Sequence, residues 1–220
     1  MVQAIDDKTQ KIENLARIAA DLFPKLDATE KKIALRLYKG LSEGKAVSPG
    51  VLASELGLPN ERVRRFLSDW PGVDFDAEKN VVGFWGLSLS ETNHQFEVYG
   101  RDLYTWCAWD TLFIPQLLQK TAKVHSACPV TGERLSLIIT PKEVRDPRPS
   151  EIVLSFITPE AAKVQQDVVQ HFCQYVHFFA SADAGAHWVS QHPETFLLSL
   201  KDAFVLGQLK NKIRFAGTSL

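Results

Sequence analysis

The sequence predicts an α+β fold: an N-terminal helical, winged-helix-like module followed by a mixed, mostly antiparallel β core with flanking helices. Apolar residues recur at helical spacing from residue 9 to about residue 70. After residue 86 the pattern changes to short segments in which apolar and polar residues alternate, as is typical of strands. We therefore expect two domains, the winged-helix-like module over 1–86 and the core over 87–220.

Composition places the chain among ordinary globular proteins and argues against membrane or nucleic-acid partners. Of its 220 residues, 45% are hydrophobic and 23% are charged, and the formal net charge is −1. The longest apolar runs are far shorter than the roughly 20 residues that span a bilayer. The first residues lack the basic and apolar segments of a secretory signal, so we expect a cytoplasmic protein.

Four helices are predicted in the first module from their periodicity and end signals. The segments cover 9–23, a stretch opened by a capping box of Asp27 and Glu30, a short stretch from Ser48-Pro49 to Gly57, and a stretch that starts at Pro59 or Asn60. Two strands, 73–75 and 81–85, follow as a hairpin across a polar turn. Helices followed by a hairpin are the pattern of a winged helix.

A winged helix most often binds DNA, and Arg62, Arg64 and Arg65 on the fourth helix are the residues that would do so. The charge balance argues against this function. Residues 1–70 carry 12 lysines and arginines against 10 aspartates and glutamates, where a DNA-binding module is strongly basic. A structural module packed on the core is favoured, and a metal-sensing DNA-binding regulator stays open as the alternative.

The core begins with a hairpin and continues through strands and helices. The predicted strands are 95–99, 103–106, 122–126, 135–140, 152–157 and an apolar strand over 172–180. The predicted helices are Cys107–Leu118, kinked or interrupted at Pro115, then 159–170, 184–192 and about 198–212.

The three cysteines are the most informative residues of the core. Cys107, Cys128 and Cys173 are odd in number and form no Cys-x-x-Cys pair, which argues for free thiols and against a zinc ribbon. A helix that begins at Cys107 would lower the pKa of its thiol and place Asp110 on the same face. Spacing alone favours a structural interpretation, in which Cys107 is a small buried apolar residue and Asp110 is a capping or ion-paired residue. Cys173 is the best candidate for a second thiol in the same site.

Three ordered segments of the chain resemble organomercurial lyase, the alkylmercury lyase (MerB) family. They are Tyr104–Thr111 (YTWCAWDT), His125–Gly132 (HSACPVTG) and Phe172–Ser181 (FCQYVHFFAS). The helical N-terminal module and the segment Leu87–Thr92 are similar too, so the resemblance covers nearly the whole chain.

The resemblance implies which residues carry the chemistry. Cys107 and Cys173 match the two cysteines that bind mercury in the family, and Asp110 matches its catalytic aspartate. Cys128 matches a cysteine whose role is structural. At the position after Cys173 some relatives have another cysteine and this chain has Gln174, a departure that leaves the catalytic set intact.

The implied reaction is protonolysis of a carbon–mercury bond. Hg(II) is a soft cation that prefers thiolates, so the two cysteines would take the mercury of an alkyl- or arylmercury thiol adduct. Asp110 would accept a thiol proton and deliver it to carbon, giving a hydrocarbon and Hg(II). No organic cofactor is needed. The resemblance implies low-molecular-weight thiols for turnover and mercuric reductase as the acceptor of Hg(II).

Four aromatic residues are candidates for the wall of a dry substrate pocket. They are Tyr104, Trp106, Trp109 and Phe172, each of which is also an ordinary core residue. A non-catalytic mercury-binding protein on the same scaffold is the second alternative, and in that case Asp110 would not matter.

Overall fold

A computed structural model describes residues 2–218. The helices are α1 (Val2–Ala20), α2 (Ala28–Ser42), α3 (Pro49–Leu56), α4 (Asn60–Asp69), α5 (Asp110–Leu118), α6 (Ala161–Val164), α7 (Val168–His171), α8 (Ala182–Gln191) and α9 (Leu200–Arg214). The strands are β1 (Val73–Phe75), β2 (Val81–Phe84), β3 (Leu87–Ser88), β4 (His94–Val98), β5 (Arg101–Thr105), β6 (Ala122–Ala127), β7 (Arg134–Ile139), β8 (Val144–Arg148), β9 (Val153–Ile157), β10 (Phe178–Phe179) and β11 (Thr195–Ser199).

The strands form two sheets, and every pair within them is antiparallel. The larger sheet has eight strands in the order β1-β2-β3-β5-β4-β6-β7-β8. The smaller sheet has the order β10-β9-β11. The predicted α+β class with a mostly antiparallel core and flanking helices is therefore confirmed.

Local sequence signals set the ends of the first helices. Asp27 accepts a hydrogen bond from the Glu30 amide at 2.7 Å, and Glu30 accepts one from the Asp27 amide at 2.7 Å, so the predicted capping box is formed. Pro49 is the first residue of α3, and Gly57 ends that helix with a left-handed φ of 64°. These three helix ends were predictable from neighbouring residues alone.

The N-terminal helices pack directly against the core. Helix α1 lies along α9, and α2 contacts α5. The hairpin β1–β2 also continues the main sheet, because Gly83 of β2 pairs with Ser88 of β3. Backbone hydrogen bonds between β2 and β3 thus join the two predicted domains across the boundary at residues 86 and 87. The division into 1–86 and 87–220 stays a prediction.

Three predicted elements of the core are wrong, and each error bears on the site. The helix predicted from Cys107 begins at Asp110 and runs through Pro115 to Leu118 without interruption. The helix predicted over 159–170 consists of the short helices α6 and α7, separated by three residues. The strand predicted over 172–180 is a 3-10 turn, Cys173–Tyr175, followed by the two-residue strand β10.

The surface of α4 does not form an uninterrupted basic stripe. Arg62, Arg64 and Arg65 are exposed, but Glu61 and Asp69 are exposed on the same helix. The guanidinium of Arg65 lies 3.6 Å from the Asp69 carboxylate. This mixed charge gives no support to the DNA-binding alternative. In the part of the chain that is described, no helix has the length and apolar character needed to cross a membrane.

Candidate active site

Cys107 lies in a tight loop between the end of β5 and the start of α5. The Thr105 hydroxyl donates to the Cys107 carbonyl at 3.0 Å, and the Thr111 hydroxyl donates to the Ala108 carbonyl at 2.7 Å. The Trp106 amide donates to the carbonyl of Gly86 at 2.9 Å. These bonds satisfy the polar backbone of a buried loop and fix the direction of the Cys107 side chain.

Cys173 lies next to the Cys107 loop, although it belongs to a segment much later in the chain. It begins the 3-10 turn that follows α7, and the chain after that turn is bound to the Cys107 loop by a 3.2 Å hydrogen bond from the Ala108 amide to the Val176 carbonyl. The Ser155 hydroxyl on β9 donates to the Tyr175 carbonyl at 2.7 Å and holds the turn against the smaller sheet.

The two thiols and the Asp110 carboxyl form one cluster. The Sγ atoms of Cys107 and Cys173 and a carboxylate oxygen of Asp110 all lie within 4.8 Å of one another. The side chains are buried, with Cys107 0%, Cys173 3% and Asp110 6% exposed. The Cys107 amide also donates to Asp110 Oδ2 at 2.9 Å, which holds the carboxyl at the thiol. The three residues that the sequence analysis assigned to one site therefore lie close together in the structure.

The pKa values of the cluster follow mainly from burial. Burial raises the pKa of the Cys107 thiol well above its ordinary value, and the hydrogen bond to Cys173 and the Asp110 charge raise it further. The hydrogen bond from Cys107 lowers the pKa of Cys173, but burial and the charges of Asp110 and Asp167 give a net increase. Burial raises the pKa of Asp110 to about 6. Hydrogen bonds from Cys107 and the charge of Lys210 lower this pKa but do not cancel the effect of burial.

The predicted decrease in the pKa of Cys107 is therefore wrong. That expectation required the helix to begin at Cys107, and the helix begins three residues later at Asp110. Because no helix N-terminus lies beside Cys107, desolvation by burial is the main influence on its thiol, and desolvation raises the pKa. Both thiols are thus protonated at neutral pH while most of the Asp110 is carboxylate, so the acid is the group that can accept a thiol proton.

A narrow cavity of about 30 Å³ adjoins Cys173 and Asp110. Three of the four predicted pocket aromatics, Trp106, Trp109 and Phe172, line it. Tyr104 does not; it lies on a separate polar cleft beside His94 and His177. The rest of the lining is mostly apolar and comes from both halves of the chain: Ala19, Leu22, Phe23, Tyr38, Trp85, Gly86, Phe113, Val168, Lys210, Arg214 and Phe215.

Two cationic residues of this cavity escaped the sequence analysis. Lys210 and Arg214 lie on the buried face of α9, each 8% exposed. A signal was present, because they continue at helical spacing the apolar stripe that contains Ala203 and Leu206. A lysine within such an apolar stripe indicates one of two things: the polar face of the helix packs against the core, or the buried charge has a function.

Cys128 lies outside the cluster, in the turn after β6. Its carbonyl accepts the Gly132 amide at 2.9 Å. Burial raises the pKa of its thiol, but hydrogen bonds from Thr131 and from the amides of Ala180, Thr131 and Val130 lower it more, and the net shift is downward. These contacts join the turn to the chain after β10, and the structural role of Cys128 stays a prediction.

Comparison with known proteins identifies the family. The family model for alkylmercury lyase matches residues 87–210. The chain is 43% identical to an alkylmercury lyase of Pseudomonas putida over 173 residues, covering 79% of this chain and 80% of that protein. It is 39% identical to an alkylmercury lyase of Staphylococcus epidermidis over 201 residues, covering 90% and 91%.

A solved structure agrees at the level of the fold. The crystal structure of the mercury-bound form of MerB2 superposes with a TM-score of 0.74 at 23% identity, over 92% of this chain and 98% of that chain. The family model and the length and identity of the sequence matches show that the chain belongs to the alkylmercury lyase family.

Proposed function

We propose that the protein is an organomercurial lyase that breaks the carbon–mercury bond of alkyl- and arylmercury compounds by protonolysis. The observation that carries this proposal is the buried cluster of Cys107, Cys173 and Asp110, with their ligand atoms within 4.8 Å. Two thiols suit mercury as a soft cation, and the carboxyl beside them suits a proton carrier. Membership of the alkylmercury lyase family supports the same assignment.

The first steps transfer mercury to the protein. A substrate R–Hg–SR′ exchanges its external thiolate for the sulfur of Cys107, and the Cys107 proton leaves with the released thiol R′SH. Cys173 then binds the same mercury, and its proton passes to the Asp110 carboxylate, which lies within reach. The second sulfur adds electron density to mercury and makes the attached carbon more basic.

The last step is proton transfer to carbon. Asp110 gives its proton to the carbon of the Hg–C bond, R–H leaves, and Hg(II) stays on the two thiolates. A pKa of about 6 suits Asp110 to both roles, because the group can be a base toward a thiol and an acid toward a carbanion-like carbon at neutral pH. The apolar cavity walls exclude water, which strengthens these interactions.

Turnover requires a partner that removes Hg(II). We propose that low-molecular-weight thiols deliver the substrate and take up the product, that no organic cofactor takes part, and that mercuric reductase receives Hg(II). Reduced thiols are a condition of the cytoplasm, the compartment that free Cys107, Cys128 and Cys173 favour. The N-terminal winged-helix-like module has a structural role in this proposal, since its helices and hairpin supply part of the cavity wall.

The test is release of benzene from phenylmercury with excess thiol. We expect wild-type protein to release it, and Cys107→Ser, Cys173→Ser and Asp110→Ala each to lose at least about a hundredfold in rate, because each removes a group without a substitute in the cavity. Cys128→Ala is the matched control, a buried thiol outside the cluster, and should keep its rate per folded molecule.

Two outcomes would contradict the proposal. Near-wild-type turnover by Cys173→Ser would exclude a mechanism with two thiols. Tight binding of Hg(II) by wild type without any hydrocarbon would favour the non-catalytic mercury-binding protein.

A further inference from the structure

The turn that contacts Asp110 has a backbone conformation that its sequence does not favour. Phe84 of β2 pairs with Leu87 of β3, so Trp85 and Gly86 form a two-residue hairpin turn. Both have a positive φ, 40° for Trp85 and 100° for Gly86, as a type I′ turn requires. Asn-Gly is the usual pair in such a turn, and a bulky residue such as tryptophan rarely adopts a positive φ. Contacts from other parts of the chain therefore stabilise Trp85 in this conformation.

Three hydrogen bonds hold Trp85, and one of them comes from the N-terminal helices. Its indole Nε1 donates to the Pro71 carbonyl at 2.8 Å, and its amide donates to the Gly72 carbonyl at 3.1 Å. Its carbonyl accepts the hydroxyl of Tyr38, on α2, at 2.8 Å in a buried hydrogen bond. A two-residue turn leaves the carbonyls of its central residues outside the hairpin ladder, so a buried one needs a donor from elsewhere. Tyr38, 1% exposed, supplies that donor.

The same turn limits where the Asp110 carboxyl can lie. A Cβ built on Gly86 would lie 2.5 Å from Cγ and Oδ1 of Asp110, so the carboxyl packs directly against the Gly86 backbone. The other carboxyl oxygen, Oδ2, accepts the Cys107 amide at 2.9 Å. The Gly86 carbonyl accepts the Trp106 amide at 2.9 Å, which joins the turn to the loop that contains Cys107. A shift of the turn would therefore move the surface on which the carboxyl rests.

Packing in the core does not require the Tyr38 hydroxyl. The Tyr38 ring meets the Phe84 ring edge to face, with the ring centres 5.2 Å apart, and a phenylalanine would keep this contact. Tyr38 also lines the cavity together with Asp110 and Cys173. The hydroxyl is thus one atom, close to the site, whose removal leaves the surrounding apolar packing in place.

We propose that Tyr38 is a positioning residue of the proton-transfer step. Its hydroxyl binds the Trp85 carbonyl, which keeps the Trp85–Gly86 turn in its left-handed conformation, and the turn holds the Asp110 carboxyl in line with the carbon of the Hg–C bond. Tyr38 acts through the turn and exchanges no proton. This inference rests on the proposed function of the same site and gives the N-terminal module a part in the chemistry.

The first experiment compares Tyr38→Phe with Ser42→Ala, which removes another buried hydroxyl from the same helix. We expect Tyr38→Phe to lower the single-turnover rate of benzene release from phenylmercury about tenfold, because the carboxyl is no longer held in line. Hg(II) affinity, measured by competition with a dithiol, should be unchanged, since both thiols are retained. Ser42→Ala should change neither quantity, although both variants should melt at a lower temperature than wild type.

A double-mutant cycle with Gly86→Ala tests whether Tyr38 acts through the turn. Gly86→Ala itself displaces the carboxyl, so Tyr38→Phe should lower the rate little further in that background. The inference would be overturned by equal losses of rate in both backgrounds, by an unchanged rate in Tyr38→Phe alone, or by a loss of Hg(II) affinity that matches the loss of rate.

Hydrogen exchange separates this inference from the lyase proposal. The Cys107 amide donates to Asp110 Oδ2, so its exchange, followed by NMR, reports the position of the carboxyl without any reaction. We expect exchange of this amide to be about tenfold faster in Tyr38→Phe than in wild type, and unchanged in Ser42→Ala. Equal protection in Tyr38→Phe and wild type would overturn the inference. Failure of wild type to release benzene would instead refute the lyase proposal, whatever the exchange rates.

Discussion

Asp110 stays at the thiols partly because the residue beneath it is a glycine. Gly86 has a φ of +100°, and a Cβ built on it would lie 2.5 Å from Cγ and Oδ1 of Asp110. No real side chain tolerates that separation, so the carboxyl occupies space that only glycine leaves open. The site therefore extends to a residue that makes no chemical contribution of its own.

We expect Gly86→Ala to lower the rate of protonolysis by roughly a hundredfold, because a carboxyl displaced by about 1 Å no longer reaches the carbon in line. Hg(II) affinity should change much less, since the two thiols are untouched. Gly100→Ala is the matched control: it also has a positive φ, +67°, but has open space around its Cβ. Equal rate losses in the two variants would show that backbone strain, and not the contact with Asp110, is responsible.

A second prediction at this scale concerns pH. Burial raises the pKa of Asp110 from its ordinary 3.8 to about 6. The carboxylate form must accept the Cys173 proton, so kcat/KM should be half-maximal near pH 6, level from about one pH unit above it, and should approach a tenfold fall per unit below it. The measurement is kcat/KM for phenylmercury between pH 5 and 8, with circular dichroism to confirm folding at each pH. A profile that is flat down to pH 5 would exclude Asp110 as the base.

At the scale of elements, the sequence predicted what neighbouring residues determine. The capping box of Asp27 and Glu30 and the left-handed Gly57 are local, and the helix ends they predict are formed. Strands β4 and β6 alternate in burial, in agreement with the alternation of apolar and polar residues in their sequences. These signals need no knowledge of what the element packs against.

The failures occur where tertiary contacts decide. The apolar run 172–180 fits a strand in isolation, but the Ser155 hydroxyl and the Ala108 amide bind the carbonyls of Tyr175 and Val176, which stabilises a turn. In the same way, the Asp110 carboxylate accepts the Cys107 amide, and the loop before α5 replaces the predicted first turn of helix. Both errors fall in the site, where local preference is overridden by the arrangement of the thiols.

At the scale of the whole molecule, the site joins segments that are distant in the chain. Cys107 and Asp110 could be paired from spacing, but Cys173 could be added only through the resemblance to organomercurial lyase. Lys210 and Arg214 were missed because their partners lie about a hundred or more residues away in the chain: Phe113 on α5 for Lys210, and the carbonyls of Phe23 and Pro24 before α2 for Arg214. A periodic pattern shows that a helix face is buried and does not show which cavity it faces.

The same long-range construction predicts that the core does not function alone. The segment 1–86 supplies Ala19, Leu22, Phe23, Tyr38, Trp85 and Gly86 to the cavity, and β2 pairs with β3 across the predicted domain boundary. A fragment of residues 87–220 would expose the apolar face of α9 and an unpaired edge of β3. We expect this fragment to unfold without a cooperative transition, as measured by circular dichroism, and to release no benzene from phenylmercury. Addition of a separately expressed 1–86 fragment should partly restore both cooperative unfolding and benzene release. Cooperative unfolding with wild-type turnover by 87–220 alone would show instead that the core holds Asp110 and both thiols in place without the N-terminal module.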